Sequence, residues 1–125
     1  FPDRQVFSIV GDGGALMTGS ELATAVAQKA KIRVIVANNN HYGTIRYHQE
    51  VHFPTRHHYA TNLVNPDFAK YGESFGLKCF RIHNTEEILP TIKSAMEVDG
   101  ASLIEFKMSL ELNTSTTTIS QLQTN

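Results

Sequence analysis

The chain has 125 residues, of which 41% are hydrophobic and 18% are charged, and its formal net charge is −1. This length accommodates one domain at most, and the apolar content suffices for a modest core. The near-neutral charge argues against a nucleic-acid partner, and no run of about 20 apolar residues exists that could span a membrane. The single cysteine, Cys79, excludes an internal disulfide and is typical of a reducing compartment, so we expect a cytoplasmic protein.

The first predicted elements are a strand, a turn and a helix. The apolar, partly β-branched run at residues 6–10 predicts a β-strand, and the sequence Gly-Asp-Gly-Gly at residues 11–14 predicts the turn that ends it. Thr18 and Glu21 match a capping box, which predicts that a helix begins after Thr18 and continues to Lys29.

A second strand is predicted at residues 32–37, and it ends at three consecutive asparagines, Asn38, Asn39 and Asn40. Strand, helix and strand within about 30 residues form one parallel crossover unit. Such a unit brings the carboxyl ends of both strands to the same edge of the sheet. We therefore expect Asp12 and Asn39 to face a shared crevice, which is the usual ligand position in open α/β sheets.

The donor atoms expected in this crevice indicate its ligand. A carboxylate, an amide oxygen and a backbone carbonyl are hard donors, which suit magnesium or calcium and not zinc. Gly13 and Gly14 leave backbone amides open to close approach by a bulky anion, and the next helix points its positive end to the same place. Before any family is considered, the residues favour a metal ion together with a diphosphate.

The remaining elements continue the alternation of strands and helices. Helices are predicted at residues 67–75 and 85–96, and strands at residues 78–82 and 102–108. The predicted fold is α/β, a three-layer sandwich with a mostly parallel sheet. We assign residues 1–111 to this domain and residues 112–125, which carry no charged side chain, to a polar tail without a core of its own.

Several reactive or charged side chains receive structural interpretations. Cys79 lies in a predicted strand, so we expect a buried small apolar residue and not a nucleophile. Arg33 begins the second strand near two lysines, where we expect a solvated charge. His48 and His52 have the spacing that places two imidazoles on one helical face, but no clear third ligand accompanies them in the irregular region of residues 46–63, so a zinc site is disfavoured.

The two turn sequences together resemble a known family. Gly-Asp-Gly at residues 11–13, followed after a helix and a strand by Asn38-Asn39, resembles the binding motif of thiamine diphosphate-dependent enzymes. The resemblance extends to residues 21–26, 38–46, 65–69 and 75–76, and covers about residues 2–107. These segments are similar to the C-terminal, diphosphate-binding domain of the group that contains acetolactate synthase, benzoylformate decarboxylase and pyruvate oxidase.

The resemblance implies roles for individual residues. Asp12, the side chain of Asn39 and the backbone carbonyl of His41 would bind Mg2+. The residues that would bind the cofactor are Gly11, Asp12, Gly13, Gly14, Ala15, Asn39, His41, Tyr42, Gly43 and Thr44. No catalytic acid or base is assigned, because the glutamate that activates the cofactor's aminopyrimidine lies in another domain in this family.

The resemblance also implies the reaction class, a thiamine diphosphate- and magnesium-dependent lyase or transferase that decarboxylates or ligates 2-oxo acids. Acetolactate synthases typically carry Met where this chain has Thr44 and Trp where it has His48, so the particular reaction stays open. The parent enzyme would be a homodimer or homotetramer with its active site at the subunit interface. Whether it also binds FAD in a middle domain is left open by these residues.

Enzymes of this group are several times longer, so we expect the chain to be a fragment that lacks the N-terminal part of its domain and is inactive alone. Two alternatives remain. One is a non-catalytic, isolated α/β domain with an empty cofactor cleft. The other is a dinucleotide-binding domain, which is disfavoured because Leu16 occupies the third glycine position of that fingerprint and no acidic residue follows at the required distance.

Overall fold

The computed structural model describes residues 1, 3–53, 59–111 and 118–123. Within these residues the strands are β1 (Val6–Gly11), β2 (Ile32–Asn38), β3 (Lys78–Ile82) and β4 (Ser102–Lys107). The α-helices are α1 (Asp12–Thr18), α2 (Leu22–Ala27), α3 (Gly43–His52), α4 (Phe68–Ser74), α5 (Ile88–Met96) and α6 (Ile119–Gln123). Short 3-10 helices precede α2 and α5, at Gly19–Glu21 and Thr85–Glu87. Among these described helices, none has the length and apolar character that crossing a bilayer requires.

The strands form one parallel sheet in the order β1-β2-β4-β3. β1 and β2 are neighbours, in a register that runs from Val6 opposite Ile32 to Gly11 opposite Ala37. The predicted crossover unit is therefore confirmed. β4 is last along the chain but lies between β2 and β3, so all four carboxyl ends meet at one edge of the sheet.

Side chains of the central strand β4 alternate between two hydrophobic clusters. Leu103 packs with Ala15 of α1 and Phe68 of α4 on one face of the sheet. Ile104 packs with Ala95 of α5 on the other face. Because successive strand side chains point to opposite faces, a strand covered on both sides must be apolar at nearly every position. Helices on both faces confirm the three-layer α/β fold.

An additional helix, α1, precedes the predicted one, which is present as the 3-10 turn Gly19–Glu21 followed by α2 and ends at Ala27 instead of Lys29. α1 starts at Asp12, directly after β1, so the Gly-Asp-Gly-Gly sequence contains the end of the strand and the first helical turn. Thr18 does not cap the next helix, since its hydroxyl donates to the Gly14 carbonyl oxygen at 3.4 Å. The predicted side-chain cap is therefore wrong, although a helix follows Thr18 as predicted. Burial of Ala15 against the sheet favours the additional helix α1, where glycine-rich local propensity disfavours one.

Arg33, for which we predicted a solvated charge, is fully buried with 0% of its surface exposed. Its Nη2 donates to the carbonyl oxygens of Val98 at 2.7 Å and Met96 at 3.3 Å, and its Nη1 donates to that of Gly100. These carbonyls belong to the last turn of α5 and the loop after it, where intrahelical donors run out. Arg33 thus ties the end of α5 to β2, and its burial lowers the pKa of the guanidinium below its usual value.

Replacing Arg33 by methionine is expected to lower the free energy of unfolding by about 2 kcal/mol, because methionine fills the space but leaves the α5 carbonyls without donors. Urea denaturation followed by circular dichroism measures the change. Lys31→Met, at an exposed position two residues earlier, is the matched control and should leave stability nearly unchanged. Equal midpoints for the two variants would contradict the capping role.

Cys79 lies in a strand as predicted, but it is half-buried and not fully buried. It lies in β3 and packs against the apolar cluster under α4. Burial is the main cause that raises the pKa of its thiol to about 11, so the thiol stays protonated and unreactive at neutral pH.

Part of the predicted polar tail packs against the domain. Ile119 of α6 is 3% exposed, and its N–H donates to the Glu111 carbonyl oxygen at 2.9 Å. The Ser120 hydroxyl donates to the Glu111 carboxylate at 2.7 Å. Residues 112–117 and 124–125 lie outside the described residues, and the boundary at residue 111 stays a prediction.

Candidate functional site

Asp12 is the first residue of α1 and lies at the carboxyl end of β1. Its side chain is 2% exposed. One carboxylate oxygen accepts from the Gly13 N–H at 3.0 Å, and the other accepts from Nδ2 of Asn65 at 2.7 Å. No cationic side chain of the described residues forms an ion pair with it. A buried carboxylate without a cation is costly, so this position is suited to a bound positive charge.

The side-chain oxygens of two asparagines converge with Asp12 on a single atom. That atom is Nδ2 of Asn65, which lies 2.7 Å from Oδ2 of Asp12, 2.9 Å from Oδ1 of Asn38 and 3.0 Å from Oδ1 of Asn40. The structure therefore brings the ends of β1 and β2 together through their side chains, as their pairing predicts. The asparagine whose oxygen reaches this point from the strand end is Asn38, which is 1% exposed.

The two other predicted metal ligands make contacts within their own turn. Oδ1 of Asn39 accepts from the His41 N–H at 3.0 Å, and the His41 carbonyl oxygen accepts from the Gly43 N–H at 2.9 Å. The His41 ring contacts Nη1 of Arg46 through Nε2 at 3.0 Å. Coordination of a metal by Asn39 and His41 stays a prediction, and the sequence reasoning missed Asn38.

A cleft of about 270 Å³ opens beside Asp12. It is lined by Gly11, Asp12, Gly13, Gly14, His41, Tyr42, Gly43, Thr44 and Ile45. Every residue predicted to bind the cofactor lies on this wall except Asn39 and Ala15, and Ala15 packs into the core instead. The two segments on either side of the cleft come from the ends of β1 and β2.

Gly13 is required by the close approach of these two segments. A Cβ at this position would lie 2.5 Å from Cε1 and 2.8 Å from Cδ1 of Tyr42. Any side chain at Gly13 would therefore push Tyr42 away or occupy the cleft. At Gly11 a Cβ would meet nothing within 4 Å. Of these two glycines of the motif, Gly13 is therefore required for steric reasons and Gly11 is not.

A charged network supports Asn38 from behind. Glu105 of β4 is 1% exposed and accepts from Nδ2 of Asn38 at 2.7 Å. Nζ of Lys107 lies 2.7 Å from the same carboxylate oxygen, and Nε of Arg81 lies 3.6 Å from the other. Because Glu105 takes the amide nitrogen of Asn38, the amide oxygen is turned towards Nδ2 of Asn65, which also contacts Asp12.

Arg81 extends this network to the start of α4. Its Nη2 donates to Oδ1 of Asp67, which also accepts the Lys70 N–H as the N-cap of that helix. The Lys70 N–H and the Arg81 guanidinium together lower the pKa of Asp67 below its usual value. The sequence reasoning missed Glu105 and Asn65. A charge inside the apolar strand β4 was a usable signal for Glu105, whereas Asn65 belonged to the resembling segment 65–69 but was given no role at the site.

His48 and His52, the described members of the histidine-rich region, do not line this cleft. His48 and His52 stack on one face of α3, with ring centroids 5.9 Å apart. Among the described residues no group of three or more histidine, cysteine or acidic side chains is placed to hold a metal ion. His57 and His58 lie outside the described residues.

The residues present fit a hard divalent cation and a diphosphate. The converging donors are one carboxylate and two amide oxygens, which is the chemistry that Mg2+ prefers. The carboxylate is buried without an ion-pair partner in the described chain. Beside it, Gly13 and Gly14 keep a backbone wall free of side chains, as close approach of a phosphate group requires.

Fold and site together define a parallel α/β domain whose ligand cleft lies where two adjacent strands end, which is the architecture of a cofactor-binding domain. The family model described as "Thiamine pyrophosphate enzyme, C-terminal TPP binding domain" matches residues 1–106. The chain belongs to this family, whose members are thiamine pyrophosphate-dependent enzymes.

Three relatives show the range of reactions among similar proteins. The chain is 38% identical over 112 residues to 3D-(3,5/4)-trihydroxycyclohexane-1,2-dione hydrolase of Bacillus subtilis, covering 86% of this chain and 18% of that protein. It is 33% identical over 108 residues to the acetolactate synthase large subunit of Corynebacterium glutamicum, covering 82% and 17%. It is 31% identical over 107 residues to the mitochondrial acetolactate synthase catalytic subunit of Saccharomyces cerevisiae, covering 86% and 15%. The chain thus spans less than a fifth of the length of each.

Proposed function

We propose that this domain anchors the diphosphate of thiamine diphosphate through Mg2+, in an enzyme that acts on 2-oxo acids. The observation that carries the proposal is the carboxylate of Asp12, which is buried without an ion-pair partner among the described residues, lines the cleft and shares Nδ2 of Asn65 with two amide oxygens. A divalent cation would neutralise this carboxylate and attract a diphosphate, whose remaining oxygens would face the backbone of Gly13 and Gly14.

The protein's part in this chemistry is binding and orientation. The chemistry that thiamine diphosphate supplies when bound is nucleophilic attack on a carbonyl carbon and storage of the electron pair that is released. Asp12 and the amide oxygens of residues 38–40 would hold the cation, and the His41 carbonyl would complete the set of protein ligands. Tyr42, whose ring contacts the backbone at Gly13, would keep the two walls of the cleft at a constant separation.

The names of the relatives support a carbonyl compound as the substrate class but differ in the reaction. Two of them are named acetolactate synthases, and one is named a hydrolase of a cyclic 1,2-dione. A 2-oxo acid and a 1,2-dione both present a carbonyl carbon next to a second electron-poor carbon. We favour acetolactate synthase-like decarboxylation or carboligation of 2-oxo acids, and a hydrolase of cyclic diones is the second candidate because of the 38% identity to that relative.

The proposed enzyme is larger than this chain and oligomeric. Ile9 is 75% exposed and Phe7 is 44% exposed on the sheet face opposite α1, and exposed apolar patches of this kind mark contacts with further protein. A homodimer or homotetramer, with an FAD site in another domain, remains the form that we propose for the parent enzyme. The chain alone is expected to bind cofactor weakly and to show no turnover of pyruvate.

Magnesium removal provides the test. Isothermal titration of the purified protein with thiamine diphosphate should give measurable binding with Mg2+ and a loss of about 100-fold or more in affinity with EDTA. Thiamine without phosphate and NAD+ are the control ligands, and neither should bind. Thiamine diphosphate binding with the same affinity in EDTA would contradict the proposed magnesium anchor. No binding of either cofactor would favour an empty cleft, and tighter binding of NAD+ would favour a dinucleotide site.

A further inference from the structure

Asn65 occupies the one point on which the site oxygens converge. It lies in the segment between α3 and α4, 53 residues after Asp12 in the chain. Its Nδ2 is within hydrogen-bond distance of Asp12, Asn38 and Asn40, while its own Oδ1 is buried and has no hydrogen-bond partner among the described residues. Among the described residues, the hydrogen bonds that orient the Asn65 amide are therefore those of its nitrogen.

The donor and acceptor numbers at this point do not match. An amide group carries two N–H hydrogens, but three oxygens, one of them a carboxylate oxygen, lie 2.7–3.0 Å from Nδ2. A neutral amide can satisfy two of these acceptors well and neutralises none of the charge of Asp12. A divalent cation that replaced this nitrogen would draw the three oxygens in to the roughly 2.1 Å typical of Mg2+ ligands, accept a lone pair from each and supply the missing charge.

The backbone on both sides of Asn65 is held in place. The Leu63 N–H donates to the Asn40 carbonyl oxygen at 2.8 Å, and Pro66 restricts the backbone of Asn65 to extended conformations. Asp67 is fixed as the N-cap of α4. The side-chain torsions of Asn65 are thus the degrees of freedom through which its amide can leave the three oxygens.

We infer that the Asn65 side-chain amide is an internal competitor for the divalent cation. It holds the three oxygens together when the cation is absent and turns away when the cation binds, so it weakens cation affinity while it preserves the geometry of the empty site. The buried Oδ1 loses no hydrogen bond when the amide turns, which favours release. This inference rests on the proposed magnesium site.

The test is cation affinity in the absence of cofactor. Mn2+ binding, followed by loss of the free-ion electron paramagnetic resonance signal, is compared for the native protein, Asn65→Ala and Asn65→Leu. Both variants remove the side-chain amide, and leucine has approximately the volume of the asparagine that it replaces. We expect each to bind Mn2+ about tenfold more tightly, which corresponds to about 1.4 kcal/mol. Asn62→Ala, at an exposed position in the same segment, is the matched control and should bind as the native protein does.

Thermal unfolding gives a second readout that a merely structural role of Asn65 would not produce. Without cation, Asn65→Ala should melt below the native protein, and saturating Mg2+ should raise its melting temperature by more than it raises that of the native protein. If the native protein binds Mn2+ and both variants bind it no more tightly than the native protein does, the competitor role of Asn65 is refuted while the proposed function stands. If no form binds Mn2+ even with thiamine diphosphate present, the proposed function fails as well.

Discussion

Replacing Asp12 by asparagine is expected to lower the magnesium-dependent affinity for thiamine diphosphate by about 100-fold or more, since changes in the groups that merely support a metal ligand already cost 10- to 100-fold. Asparagine preserves the size of the side chain and an oxygen for the Gly13 N–H, but it removes the charge that would attract the cation. Titration calorimetry with cofactor and Mg2+ measures the loss.

Stability separates this effect from unfolding. The Asp12 carboxylate is 2% exposed without an ion pair in the described chain, and such a buried charge destabilises the cation-free protein. In Asp12→Asn the removal of this charge offsets the loss of the second acceptor oxygen, which Asn65 uses, so the free energy of unfolding without Mg2+ should change little. Asp3→Asn, at an exposed position, is the control and should leave both properties unchanged. Retained cofactor binding in Asp12→Asn would refute the proposed anchor.

Glu105→Ala is expected to lower the free energy of unfolding by about 3 kcal/mol, at the lower end of the values for breaking a buried charged network. The substitution leaves Nδ2 of Asn38 buried without an acceptor and removes the counter-charge of Lys107 and Arg81. The cost stays at the lower end because Lys107 and Arg81 are 43% and 37% exposed and can be solvated. Urea denaturation measures it.

Glu105→Gln is the conservative control for this position. It retains an oxygen for the Asn38 amide while losing the charge, so about half of the destabilisation should remain. Because Glu105 turns the Asn38 oxygen towards the point at Nδ2 of Asn65 where we propose that the cation binds, Mn2+ affinity should fall in Glu105→Ala and be largely restored in Glu105→Gln. A fully stable Glu105→Ala variant, or one with native Mn2+ affinity, would show that Glu105 does not position Asn38.

The family resemblance and the structure point to different asparagines as the candidate metal ligand. The family resemblance assigns Asn39, whereas in this structure Oδ1 of Asn38 shares Nδ2 of Asn65 with Asp12, and Oδ1 of Asn39 accepts the His41 N–H. The difference follows from strand geometry. Val36 and Asn38 lie on the same face of β2 and are both 1% exposed, whereas Asn39 comes after the strand has ended. Alternation along β2 would have drawn attention to Asn38, had it been continued past the apolar run.

The local sequence alone determined the four strands, their alternation with helices and the meeting of Asp12 with the asparagine turn at one sheet edge. These features depend on hydrophobic periodicity and on the parallel crossover, both of which act over about 30 residues. Tertiary packing alone decided that a helix starts at Asp12, that Arg33 is buried and that Asn65 reaches the site. Each of these depends on which distant backbone or side-chain group supplies a hydrogen-bond partner in the folded core, and no local pattern carries that information.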